Sequence, residues 1–223
     1  MEHEFWAERW RQSQLGFHLT EANRHIVRYG PQVFPRPGRV LVPLCGKSVD
    51  LVWLRAQGHE VVGVEFVEEG AIAFFEEHGL EPAASRLGPH PVLRAEGISI
   101  VLDDFLALDV GALGRFSGIY DRAALVALDP DDQRRYLEKL RALSADDAHV
   151  LLVSFDHDIG AGPPFSLPGA ELMAVAAGLF TYDPLADLDI LPSEPRFRER
   201  GATRLREQVW HGKPVAKPVV SAP

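Results

Sequence analysis

The chain has 223 residues, 46% of them apolar, enough to bury one sizeable core and too few for two full domains. Acidic residues outnumber basic ones 32 to 23, for a formal charge of −9, which argues against a phosphate-tracking surface and so against nucleic acid as a partner. One cysteine, Cys45, rules out an internal disulfide framework and a cysteine-rich zinc site.

The first residues, Met1-Glu2-His3-Glu4-Phe5-Trp6, carry charge where a signal peptide needs an apolar run, and no stretch approaches the ~20 apolar residues of a membrane span. A cytoplasmic protein, off the membrane, is therefore expected. Phe5, Trp6, Trp10 and Leu15 recur at roughly helical spacing, Gly16 breaks the run, and Thr20 is placed to cap a second helix to Tyr29. Residues 1–30 thus read as a helical extension, and Pro31, Pro35 and Pro37 predict a stiff connector behind it.

Strand and helix then alternate. Arg39 to Leu44 is a short apolar run, Ser48 to Gln57 a helix, and Glu60 to Glu65 a β-branched run of the kind buried parallel strands show. Glu68 to His78 predicts a helix stopped by Gly79; Ile98 to Leu102 and Gly118 to Tyr120 predict strands. Pro130 to Leu143 is an amphipathic helix opened by proline, and His149 to Phe155 a continuous apolar strand. After the rigid 160–164 loop come a helix from Pro168 to Ala177 and two weaker strands, Phe180 to Tyr182 and Thr203 to Trp210, placed to close the sheet with an antiparallel hairpin. Residues 1–212 are expected to form one α/β domain, a mostly parallel sheet with helices on both faces, and Lys213 to Pro223 a Pro-rich flexible tail.

In such sheets ligands bind beyond the carboxyl ends of the strands. After the first strand stands Leu44-Cys45-Gly46-Lys47, where glycine lets the backbone approach a ligand, and 19 positions past Gly46 stands Glu65, an acceptor suited to two ribose hydroxyls. A P-loop would need glycine at position 41, which is Leu41, and a dinucleotide site would need two further glycines at the turn. A nucleoside cofactor without phosphates fits better. Asp104 and Phe105 suit an adenine amine and ring, or else a solvated turn and a core aromatic; Asp103 precedes them. Asp121-Arg122 reads either as a structural ion pair or as a site arginine.

Taken together these residues resemble the thiopurine S-methyltransferase family, its bacterial branch most closely. The resemblance runs from about Phe5 to Val209. It rests on Phe5-Trp6 through Arg9-Trp10, Gly16-Phe17-His18, Val42-Pro43-Leu44-Cys45-Gly46-Lys47-Ser48, Gly58-His59 through Gly63-Val64-Glu65, residues 120–128, and Gly162-Pro163-Pro164-Phe165-Ser166. It implies a Rossmann-like class I methyltransferase with a seven-stranded sheet, whose N-terminal extension is a lid over S-adenosyl-L-methionine. Position by position, it implies that Trp6, Trp10, Leu44, Glu65, Asp104, Phe105 and Arg122 touch that cofactor, that Phe17, Arg122 and Arg196 line the acceptor pocket, and that Arg122 serves the reaction. Phe66-Val67, Asp103 and the end after Trp210 depart from the family's usual pattern.

The activity implied is methyl transfer to an aromatic or heterocyclic thiol, ionised enough to need no strong base. Alternatives are methylation of a small soft nucleophile (sulfide, halide, selenium or tellurium species) and a non-catalytic nucleoside-binding protein. Trp6 and Trp10 serve as an aromatic lid or as ordinary helix packing, and His18 as a water-linked proton acceptor or a structural histidine. Cys45 has no obvious base, and Asp156-His157-Asp158 resembles a metal cluster in composition only, so neither is assigned chemistry and no metal is expected. A small-molecule acceptor and a monomer complete the expectation.

Overall fold

The computed structural model describes residues 19–160 and 162–216. Its strands are β1 (Arg39–Pro43), β2 (Glu60–Glu65), β3 (Ala83–Leu87), β4 (His90–Ala95), β5 (Ile98–Leu102), β6 (Phe116–Arg122), β7 (Ser144–His157), β8 (Phe180–Asp189) and β9 (Leu205–Pro214). They form one sheet in the order β3-β4-β5-β2-β1-β6-β7-β9-β8. The five central strands from β5 to β7 run parallel, and β9 and β8 close the far side antiparallel. The helices are α1 (Arg24–Val33), α2 (Asp50–Ala56), α3 (Glu68–Glu77), α4 (Val110–Leu113), α5 (Pro130–Leu143), α6 (Gly169–Ala176) and α7 (Pro195–Glu199).

The strand periodicity splits the core in two. Val40, Val42, Val61, Tyr120 and Leu151 face one side, where Ile26 and Val33 of α1, Leu51 and Leu54 of α2, and Phe74 and Phe75 of α3 pack on them. Leu41, Val62, Val64, Ile119, Val150 and Leu152 face the other, against Tyr136, Leu137 and Leu140 of α5 and Leu172 of α6. Each large side chain buried this way contributes about 1.5–3 kcal/mol, which is what binds helices to both faces of the sheet. Gly63 permits the tightest approach: a Cβ there would stand 2.6 Å from Cys45 Sγ.

Four expectations are corrected. The sheet has nine strands where seven were expected: the hairpin β3–β4 adds an antiparallel edge beside β5. β3 carries no apolar stripe, because it lies at the exposed rim and none of its residues is buried. Pro31 lies inside α1 and not in a connector; near the last turn it forfeits one hydrogen bond, and Phe34 N–H closes on Gly30 O at 2.7 Å. Asn23, not Thr20, caps that helix, its side chain accepting from His25 N–H at 2.8 Å. Lys213 and Pro214, expected in a flexible tail, instead pair with Thr181 and Phe180 as the end of β9. From α1, Arg24 ion-pairs with Glu207 of β9, and His25 Nε2 lies 2.7 Å from the same carboxylate. The part of the 1–30 extension within the described residues thus packs on the sheet face.

Candidate functional site

β5, β2, β1 and β6 are neighbours, so their carboxyl ends bring Asp104, Glu65, Leu44 and Arg122 to one rim of the sheet. The turn after β1 is tight. Cys45 N–H donates to Val64 O at 2.9 Å, while Leu44 (φ 47°) and Gly46 (φ 52°) both take left-handed backbone conformations. For a leucine that conformation costs on the order of 1 kcal/mol, and such strain tends to collect at functional sites. Ala123 (φ 65°) repeats it just past the end of β6.

Glu65 ends β2, 5% exposed. Its Oε2 accepts from Gly46 N–H at 2.9 Å and its Oε1 from Val67 N–H at 2.8 Å. Burial raises the carboxyl from its ordinary 4.5 to about 7, although the amides of Val67, Gly46 and Phe66 pull the other way. The Gly46 turn and Glu65, matched in the sequence by spacing alone, are therefore hydrogen-bonded partners. Cys45 beside them is buried, and burial together with Glu65 pushes its thiol well up. Lys47 ion-pairs with Glu77 at the end of α3.

The loop after β5 is held at several points. Asp103 N–H donates to Glu65 O at 3.2 Å, tying the ends of β2 and β5 together. Asp104 caps the following turn, its Oδ1 accepting from Leu106 N–H at 2.9 Å. Phe105 turns its ring into the core, 1% exposed and 4.9 Å from the Tyr136 ring centroid. Lys139 of α5 donates to Leu106 O and Leu108 O, both at 2.7 Å.

At the end of β6 the Asp121-Arg122 pair comes apart. Asp121 accepts from Tyr136 O–H at 2.7 Å and from Leu125 N–H at 3.1 Å; burial raises it to about 6. Arg122 turns to the opposite face, its Nη1 3.6 Å from Oδ2 of the fully buried Asp50. Asp50 also accepts from Tyr120 O–H at 3.0 Å and from Asn23 N–H at 2.7 Å. This carboxylate, missed in the sequence reading, ties the N-terminal segment, α2 and β6 into one wall. Its only local signal is an acid in the first turn of a helix behind the glycine turn.

At the end of β7 the Asp156-His157-Asp158 triplet disperses. Asp156 pairs with Arg204, and Asp158 accepts from the Thr203 side chain and the Thr203 and Arg204 amides. His157 Nδ1 accepts from Ile159 N–H at 3.3 Å and Nε2 donates to Pro164 O at 3.1 Å, so both ring nitrogens are engaged; burial lowers its affinity for a further proton. Arg196 is exposed on α7, whose Phe197 reaches the end of β7, 6.3 Å from Phe155 and 5.7 Å from His157 by ring centroids. Trp6, Trp10, Phe17 and His18 lie outside the described residues. Among the described residues, no group of His, Cys, Asp and Glu is arranged to hold a metal, and no helix is long and apolar enough to cross a membrane.

Solved structures share this architecture. The 1,6-didemethyltoxoflavin-N1-methyltransferase of Burkholderia thailandensis, crystallised with its namesake compound and S-adenosylhomocysteine, superposes with a TM-score of 0.66 at 20% identity, over 96% of this chain and 87% of that one. TehB from Haemophilus influenzae gives 0.58 at 15% identity, over 95% of this chain and 67% of that one. At such identities the likeness is one of fold. Sequence relatives are nearer: thiopurine S-methyltransferases of Pseudomonas syringae pv. tomato and Pseudomonas paraeruginosa are 41% and 42% identical over 213 residues, 94% of this chain and 97% and 98% of theirs. The family model for thiopurine S-methyltransferase matches residues 1–214. With its class I sheet, its glycine turn and the acid bonded to it, the chain belongs to the thiopurine S-methyltransferase family, a family of S-adenosylmethionine-dependent methyltransferases.

Proposed function

We propose that this enzyme transfers the methyl group of S-adenosyl-L-methionine to an aromatic or heterocyclic thiol, with Leu44, Glu65, Asp104 and Arg122 forming the described part of its site. The observation that carries the cofactor reading is the Glu65–Gly46 hydrogen bond. Oε2 accepts from Gly46 N–H and Oε1 from Val67 N–H, and a carboxylate offers about four lone-pair sites, so acceptor capacity remains for a pair of vicinal hydroxyls. Asp104 has one oxygen engaged with Leu106 N–H and a second left to accept from an adenine amine. The Phe105 ring packs in the core, so its contribution to the nucleoside is through the backbone. Bound there, S-adenosylmethionine supplies a sulfonium methyl open to displacement by a soft nucleophile.

The chain's own part is orientation and exclusion of water. Arg122, held against Asp50, serves the polar or anionic edge of the acceptor, and Arg196 on α7 adds a second cation at the pocket's rim. An acidic thiol ionises near neutral pH without a dedicated base, which accords with His157 having both nitrogens engaged. Trp6, Trp10 and Phe17 close over the site from the N-terminal extension in this reading.

Calorimetry with S-adenosylmethionine, followed by turnover with a thiopurine, an aryl thiol, sulfide, halide, selenite and tellurite side by side, tests the assignment. The aromatic thiols are expected to turn over best. Absence of cofactor binding overturns the whole reading; binding with methylation of the small ions alone transfers the assignment to them.

A further inference from the structure

We propose that His90, carried by the edge hairpin β3–β4, is a positioning residue for the nucleobase end of the methyl-donor site and sets its preference for an amino-purine. This rests on the reading that Asp104 faces the adenine amine. His90 opens β4 opposite Leu87 and is 4% exposed. Its Nε2 lies 3.1 Å from Asp109 N, and since an amide can only donate, Nε2 carries no proton. Nδ1 therefore bears the proton and donates to Asp103 Oδ2 at 2.6 Å. Asp103 Oδ1 in turn accepts from Asp104 N–H at 2.8 Å.

The ring thus grips both ends of the loop between β5 and α4, and the backbone of Asp104 is fixed through Asp103. On the other side, Lys139 holds Leu106 O and Leu108 O and the Phe105 ring is locked against Tyr136. Asp104 projects from a segment pinned on either side of it. A hydrogen bond weakens steeply with small displacements, so a carboxylate discriminates between ligands only if its loop is held. The chemical choice is sharp. A carboxylate accepts from a purine 6-amine and is repelled by a 6-carbonyl in the same place.

The test measures dissociation constants of S-adenosylhomocysteine and S-inosylhomocysteine for the full-length wild type, His90→Ala, His90→Asn and His90→Gln, with circular dichroism to verify folding. The wild type is expected to prefer the adenosyl compound by about tenfold or more. In His90→Ala the preference should fall within about threefold while both compounds still bind, their shared ribose contacts being intact. Asparagine places an amide N–H near the position of Nδ1–H and should restore most of the preference; glutamine, reaching the Nε2 position instead, should not. That contrast decides the matter even if the alanine variant fails to fold. Wild-type discrimination in a folded His90→Ala, or in His90→Gln, overturns the role of His90. A wild type that binds both compounds equally overturns the Asp104 reading and the inference with it; one that binds neither overturns the methyl-donor assignment itself.

Discussion

Replacing Glu65 by glutamine changes one atom and one charge, and the structure makes opposite forecasts for stability and binding. Both carboxylate oxygens accept a backbone N–H, from Gly46 and from Val67. Glutamine has one oxygen, so its NH2 must face one of two N–H donors, a cost of about 1–3 kcal/mol at any pH. Against this, the wild-type carboxyl is raised from 4.5 to about 7 by burial. The native state binds that proton more tightly than the unfolded chain does. The stability it contributes is therefore fully present below the unfolded value and is lost as pH rises through about 7, in all about 3 kcal/mol. The amide never ionises and escapes that loss. At pH 5 the Glu65→Gln variant should melt below the wild type; at pH 8 the gap should close or reverse. Binding behaves otherwise, because an ionised acceptor is exchanged for a half-donor, and affinity for S-adenosylhomocysteine at pH 8 should fall about 10- to 100-fold. Thermal melts at the two pH values and calorimetry at pH 8 read both effects. Wild-type affinity in the variant refutes the hydroxyl-binding role of Glu65, and a stability gap that is constant from pH 5 to 8 refutes its raised titration.

Arg122→Met should lower the rate of thiol methylation by about tenfold or more, as removal of a charge-assisted contact does, and steady-state kinetics with an anionic and a neutral aryl thiol should show the larger loss for the anionic one. Asp50→Asn removes the charge that Arg122 faces while sparing one acceptor oxygen. A loss of about 1–3 kcal/mol in urea unfolding is expected, with catalysis falling alongside as the guanidinium loses its anchor. Gly63→Ala forces a Cβ to 2.6 Å from Cys45 Sγ and should cost about 1–3 kcal/mol. Adding Cys45→Ala should recover part of that, and strict additivity of the two in a double-mutant cycle would contradict the clash.

The parallel core was legible because its strands are buried on both faces and so spell continuous apolar runs. The expected bounds of Glu60–Glu65, Ile98–Leu102 and Pro130–Leu143 are those observed. Glu65 was legible for a related reason: the end of a strand and its distance from a glycine turn are both local properties of the chain. The edge hairpin was not, since β3 buries too little apolar surface to write a pattern into its residues. Pro31 and Asn23 show how tertiary context overrides local preference, for α1 tolerates one lost hydrogen bond because Ile26 and Val33 bury against the sheet. Which charges meet was likewise invisible. Asp121 and Arg122 are adjacent in sequence, yet neighbours along a strand point to opposite faces, so one went to Tyr136 and the other to Asp50, 72 positions before it. By itself the sequence determined the fold class and the family, and it singled out Glu65 as the acid proposed to hold the cofactor. Only the tertiary structure decided that Asp50 anchors the arginine and His90 the loop after β5, because those contacts join residues whose separation along the chain carries no periodic signal.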